Sequence, residues 1–101
     1  MTNNSVTKIL YTAAYKRAIK KYKKKHYDMS LLDKAITAIV ENDKSYLRRH
    51  KVHKLTNYFE LHIDSHNWDW LLEYDFDEKT GELILILIDT GNHDDLKRKT
   101  Y

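Results

Sequence analysis

The chain has no cysteine, no proline and only two glycines in 101 residues. Without thiols it can form neither a disulfide nor a thiolate metal site, and a reducing cytoplasm suits that composition. The shortage of Pro and Gly leaves no linker-like tract, low-complexity segment or internal repeat. No apolar run approaches the roughly 20 residues of a membrane-spanning helix. The opening Met1-Thr2-Asn3-Asn4-Ser5 lacks the basic-then-apolar pattern of a secretory leader. The expectation is one compact soluble domain over residues 1–101, with a single modest core and no membrane partner.

Charge, by contrast, is plentiful and unevenly placed. Residues 1–54 hold 14 Lys+Arg against 4 Asp+Glu, a net +10, and residues 55–101 hold 4 against 11, a net −7, which returns the overall +3. A basic half joined to an acidic half suits either a polyanion-binding face or two oppositely solvated surfaces.

Val6 to Tyr11 reads as an opening strand. From Thr12 the period becomes helical, with Tyr11, Tyr15, Ala18, Ile19, Tyr22 and His26 on one face. Lys16, Arg17, Lys20, Lys21, Lys23, Lys24 and Lys25 cover the other, a face that is either solvated or able to track phosphates. Asp28 or Ser30 caps a second helix, whose Leu31, Leu32, Ala35, Ile36, Ile39 and Val40 form a buried stripe. So short a connection predicts an antiparallel helix pair.

The polar stretch Glu41 to Lys54 reads as a loop leading into a short strand. Tyr58 to Ile63 alternates as a strand, Asp64 to Trp68 makes a turn, and Trp70, Leu72, Tyr74 and Phe76 alternate along the next strand. Asp77 to Gly81 is a hairpin loop with Gly81 at positive φ. The uninterrupted Leu83 to Ile88 run fits a central strand covered on both faces, stopping at Asp89 with Gly91 permitting a sharp turn. The charged end, Asp94 to Tyr101, has room for one helical turn. The expected fold is α+β, with the helix pair on one face of a mostly antiparallel sheet of about four strands.

His53 lies before a strand, His62 shares a strand face with Glu60, and His93 follows the central strand, with Asp69 also nearby in sequence. Two histidines can serve as base and acid in one reaction near neutral pH, and a carboxylate can orient an imidazole. Exposed polar residues on an open sheet face would give the same pattern. His62 and His66 stand four apart, but Asp64-Ser65-His66-Asn67 reads as a turn rather than a helix, which argues against a zinc pair.

These segments together resemble the RelE/ParE superfamily of type II toxins, in particular its YafQ-type branch. The resembling pieces are Tyr15-Lys16-Arg17-Ala18-Ile19-Lys20-Lys21, Asp28 with Leu31-Leu32, His53-Lys54-Leu55 and Glu60-Leu61-His62-Ile63. They continue as Asp69-Trp70-Leu71-Leu72-Glu73-Tyr74 and Thr90-Gly91-Asn92-His93-Asp94-Asp95-Leu96. The resemblance implies a metal-independent, cofactor-free endoribonuclease that cleaves mRNA on the ribosome. It also implies a small ribbon-helix-helix antitoxin as partner, with operator DNA engaged only through the antitoxin complex. It places catalytic roles on His53, His62, Asp69 and His93, with Glu60 replacing the usual Asp, and Trp70 at an aromatic position near the site.

Lys16, Lys20, Lys24, Arg48, Arg49, Lys51, Lys54, Lys97 and Arg98 complete the RNA-contact set as cations. Two departures stand out. Asp89 occupies the place of a basic residue before Thr-Gly, and Lys97 that of an aromatic; Lys97 or Arg98 could supply the missing cation. An exposed Asp about 4 Å from a phosphate would oppose binding by roughly 4 kcal/mol at an effective dielectric near 20. Asp89 therefore keeps a second reading open: a non-catalytic or ParE-like toxin that acts by binding gyrase or RNA.

Overall fold

A computed structural model describes residues 5–64 and 69–97. The order is β1 (Val6–Tyr11), α1 (Ala13–Lys24), α2 (Met29–Glu41), α3 (Lys44–Arg49), β2 (His53–Lys54), β3 (Phe59–His62), β4 (Leu71–Lys79), β5 (Glu82–Gly91) and α4 (His93–Lys97). The strands form one sheet in the order β1-β5-β4-β3-β2. β1 runs parallel to β5, and every other pair is antiparallel. The fold is α+β as the pattern predicts, with five strands because His53–Lys54 pairs as a separate edge strand.

Each helix begins where a side chain can satisfy an orphan backbone donor. Thr12 accepts from the Tyr15 amide and Asp28, rather than Ser30, from the Ser30 amide. Asn42 closes α2 in the left-handed region. Asp43 then caps α3 through the Tyr46 amide, so the expected loop between Glu41 and Lys54 contains a helix. Its polar composition hides it in the sequence, because only Tyr46 and Leu47 turn toward the core.

Tyr15, Tyr22, Leu32, Ala35 and Ile39 pack with Leu61, Ile63, Trp70, Leu72, Tyr74, Leu85 and Leu87 in one cluster. One sheet face therefore carries α1 and α2. Burial of each such large apolar side chain contributes about 1.5–3 kcal/mol. β5 is central, as its sequence suggests, but its two faces differ. Leu85 and Leu87 are fully buried against the helices, while Ile86 and Ile88 on the second face are half-buried.

A bulge decides what the end of β5 presents. Tyr74 pairs with Leu87 and Glu73 with Asp89, which leaves Ile88 as the extra residue. The Ile88 carbonyl is taken up by the Thr12 hydroxyl, tying the start of α1 to the bulge. β5 then continues through Thr90 to Gly91 instead of ending at Asp89. Gly81 has φ 79°, as the hairpin requires, whereas Gly91 is not among the positive-φ glycines. Gly91 serves close approach instead: a Cβ there would lie 3.2 Å from the Tyr22 hydroxyl. Residues 65–68, on which most of the expected Asp64 to Trp68 turn and His66 fall, and residues 98–101, including Arg98, lie outside the described residues.

Candidate active site

Because strand residues alternate, Leu61 and Leu72 on the helix-covered face put Glu60 and His62 on the other. Register then lines up one row across four strands: His53 opposite Glu60, Glu60 opposite Glu73, and Glu73 opposite Asp89. His53 Nε2 lies 3.2 Å from Glu60 Oε1, and its Nδ1 lies 3.1 Å from the Lys51 carbonyl. A carbonyl can only accept, so Nδ1 carries a hydrogen; Nε2 meets the Glu60 carboxylate as a donor when the ring is charged.

His62 begins the next row, opposite Leu71. Its backbone N–H donates to the His50 carbonyl at 2.9 Å, and its Nδ1 lies 3.3 Å from the same oxygen. The His50 Nδ1 in turn lies 2.7 Å from the His62 carbonyl, and the His50 ring stacks on Tyr46 at 3.8 Å. The acceptor at Nδ1 puts the hydrogen there, so a neutral His62 keeps its lone pair on Nε2. Burial lowers the His62 pKa below its usual 6.5, opposed by the His50 hydrogen bond and the Glu60 charge and assisted by His93 and His53.

His93 opens α4, immediately past the end of β5. Its Nδ1 lies 2.6 Å from Asp69 Oδ1, and its backbone N–H donates to that oxygen at 3.0 Å. These two bonds hold the Asp69 carboxyl below its usual range. The His62 and His93 rings face each other with centroids 6.2 Å apart, tilted by 47°. Folding therefore brings His53, Glu60, His62, Asp69 and His93 into one neighbourhood, with His62 at its centre.

The remaining candidates divide. Lys51 is exposed beside His53, whereas Lys54 pairs with Phe59 and lays its ammonium over that ring at 5.5 Å, on the helix-covered face away from Glu60 and His62. Arg48 and Arg49 are exposed on α3. Lys16, Lys20 and Lys24 are exposed on α1, across the sheet from the Glu60–His62 face. Lys97 ends α4, and Arg98 lies outside the described residues. Trp70, expected as an RNA contact, is only 2% exposed. Its indole N–H donates to Thr90 Oγ1 at 2.9 Å, and that hydroxyl donates to the Leu71 carbonyl at 2.7 Å. In this position Trp70 supports the Asp69 corner from within and offers no surface to an RNA base. Asp89, 7% exposed, accepts from the Thr90 amide and stands beside Glu73, which makes it part of the sheet's polar row instead of an exposed anion.

Reading the sequence missed His50, whose link to His62 runs through the unexpected α3. It also missed Tyr22 and Asp95, which meet below the His93 turn. The Asn92-x-x-Asp95 spacing was the available signal: the Asn92 side chain accepts from the Asp95 amide at 2.7 Å, a helix-start pattern. Among the described residues, no group of three or more His, Asp or Glu is arranged to hold a metal ion, and no helix is long and apolar enough to cross a membrane.

Comparison with solved structures finds close architectural relatives. The toxin in the Escherichia coli DinJ-YafQ toxin-antitoxin complex shares 28% identity and a TM-score of 0.72, over 87% of this chain and 93% of that one. YafQ from E. coli strain BL21(DE3) shares 26% identity and a TM-score of 0.73, over 87% and 94%. A metal-bound toxin from Helicobacter pylori, 22% identical with a TM-score of 0.73 over 88% and 97%, shares the fold. No curated protein sequence gives a significant match. The family model described as the bacterial toxin of type II toxin-antitoxin system, YafQ, matches residues 7–98. With nearly the whole chain matched, this protein belongs to the YafQ family of type II toxins.

Proposed function

We propose that this toxin is an mRNA endoribonuclease working by histidine acid–base catalysis, with no metal in the reaction. The observation that carries the reading is the opposed pair of imidazoles, 6.2 Å apart, with different supports. Burial lowers the pKa of His62, which favours the neutral ring with its lone pair on Nε2, and His62 serves as the base. His93 is oriented by the Asp69 carboxylate 2.6 Å from its Nδ1 and serves as the acid through Nε2.

In the proposed reaction His62 Nε2 takes the proton from a ribose 2′-hydroxyl. The 2′-oxygen attacks the adjacent phosphorus, the bond from phosphorus to the 5′-oxygen breaks, and His93 Nε2 delivers a proton to that oxygen. The products are a 2′,3′-cyclic phosphate and a free 5′-hydroxyl. His53 offsets charge on the phosphorane, with Glu60 steadying it at 3.2 Å. Arg48 and Arg49, exposed on α3, and Lys51, exposed just after it, hold the RNA backbone.

The likeness to the toxin of the DinJ-YafQ complex supports a dedicated antitoxin as the partner of this chain. The family resemblance favours a ribbon-helix-helix antitoxin and cleavage on the ribosome. The deciding experiment expresses the chain in bacteria with and without its neighbouring antitoxin gene and maps mRNA 5′ ends. In-frame cuts that the antitoxin relieves, that persist in chelator-treated extracts and that vanish in His62→Ala and His93→Ala are expected. Growth arrest without new mRNA ends would overturn the nuclease reading in favour of a toxin that acts by binding.

A further inference from the structure

The His93 turn is clamped from beneath by a residue far away in sequence. Tyr22, in the last turns of α1, is 1% exposed. Its hydroxyl donates to Asp95 Oδ2 at 2.6 Å and accepts from the Asn92 backbone N–H at 2.8 Å. Asp95 also takes the Lys21 ammonium at 2.8 Å, and its own N–H returns to the Asn92 side chain at 2.7 Å. Gly91 completes the arrangement, because a Cβ there would stand 3.2 Å from the hydroxyl.

The ring of Tyr22 is fixed as firmly as its hydroxyl. It meets Tyr27 edge-on at 4.6 Å and lies nearly parallel to Trp70 at 6.3 Å. Trp70 directly follows Asp69 in the chain, and its indole is held by Thr90. One aromatic residue thus touches both supports of the Asp69–His93 pair: the 91–95 segment through its hydroxyl, and the base of Asp69 through its ring.

We propose that Tyr22 is a positioning residue whose hydroxyl locks the Gly91–Asp95 segment so that the His93 imidazole is delivered to Asp69. The proposal rests on the acid–base reading for its kinetic consequence, but not for its structural one. Burial and the bond to Asp95 push the phenol pKa upward, so the hydroxyl keeps its proton as donor throughout the working pH range. Removing it leaves the Asn92 N–H without its acceptor and Asp95 tied only to Lys21 and its own helix start. His93 is the next residue along, so slack in this clamp is passed directly to the imidazole. A displacement near 1 Å in a catalytic group can cost about 10²-fold in rate.

The test is Tyr22→Phe, which keeps the ring and deletes the oxygen. In wild type, the His93 Nδ1–H bonded to Asp69 should give a distinct low-field proton resonance. In Tyr22→Phe that resonance should broaden or vanish, while far-UV circular dichroism stays native. On the RNA substrate that wild type cleaves, kcat should fall by about 10²-fold with KM unchanged. Asp95→Ala, which alters a partly exposed side chain and removes the other half of the clamp, should weaken the same resonance. It carries the test if the Tyr22 variant fails to fold. An unchanged resonance and kcat in the folded variants would overturn the proposal and leave the nuclease reading intact. Loss of the resonance in a protein whose wild type cuts no RNA would uphold the clamp and refute the nuclease instead.

Discussion

Asp69 Oδ1 receives two hydrogen bonds from His93, one from Nδ1 at 2.6 Å and one from the backbone N–H at 3.0 Å. They stand 24 positions apart, and the segment between them includes all of β4 and β5, so the hairpin itself carries the donor to the acceptor. The doubled contact fixes both the ring's tautomer and its direction, leaving Nε2 as the working nitrogen.

Asp69→Asn should separate these two effects. The amide oxygen can still accept from the backbone of His93, but its hydrogen bond to the Nδ1–H is neutral rather than charge-assisted. Cleavage should drop by roughly 10²–10⁴-fold, the usual scale of one proton-transfer role. The melting temperature should hardly move, because the Asp69 side chain is largely exposed. Activity equal to wild type would remove Asp69 from the mechanism.

The lowered pKa of His62 sets an expectation for pH. As base the residue must be neutral, so the acidic limb of the wild-type rate profile should lie below 6.5. Stability carries the same sign. The unfolded chain takes up a proton near pH 6.5 before the folded chain does, so this residue has no effect at higher pH and destabilises the fold as pH falls through the lowered native value. Urea titrations on either side of pH 6.5, in wild type and His62→Gln, would show a smaller acid loss in the variant.

Gly91→Ala should destabilise the protein by about 1–3 kcal/mol through overpacking. The new methyl would lie 3.2 Å from the Tyr22 hydroxyl and 3.3 Å from Asp95 Cβ. Tyr22→Phe removes the first of these contacts, so the alanine should cost less in that background, with a coupling of about 0.5–3 kcal/mol. Urea denaturation of the four proteins in the cycle measures it, and strict additivity would contradict the close-approach role of Gly91.

Lys97→Ala combined with Arg98→Ala should abolish growth inhibition, if these cations replace the basic residue that Asp89 displaces. Asp89 is buried in the row with Glu73 and leaves the need for a cation unmet. Colony counts after induction give the answer, and full toxicity in the double variant would shift phosphate neutralisation to His53.

The sequence by itself determined much of the frame. Alternation in Tyr58–Ile63 and Trp70–Phe76 and the stripe from Leu31 to Val40 were readable because each element turns one face to apolar neighbours and records it as a period. The Leu83–Ile88 run was readable because an interior strand of the sheet admits an unbroken apolar sequence. The cap at Asp28 and the positive φ of Gly81 were readable because each answers a local backbone requirement. The resemblance across His53, Glu60, His62, Asp69 and His93 named a candidate set, without saying how its members meet.

Only the tertiary structure decided the rest. α3 has little apolar periodicity, so its helix and the His50–His62 exchange appear only when Tyr46 and Leu47 find the core. The bulge at Ile88 turns Asp89 toward Glu73 and Thr90 toward Trp70, a change of face that no periodic pattern can signal. It is also the fold that takes Trp70 inside and makes Gly91 a gap for the Tyr22 hydroxyl rather than a turn. Local rules report what each segment needs for itself. Which nitrogen meets which carboxylate, across 24 residues or 73, depends on register and packing, which exist only after the segments have joined.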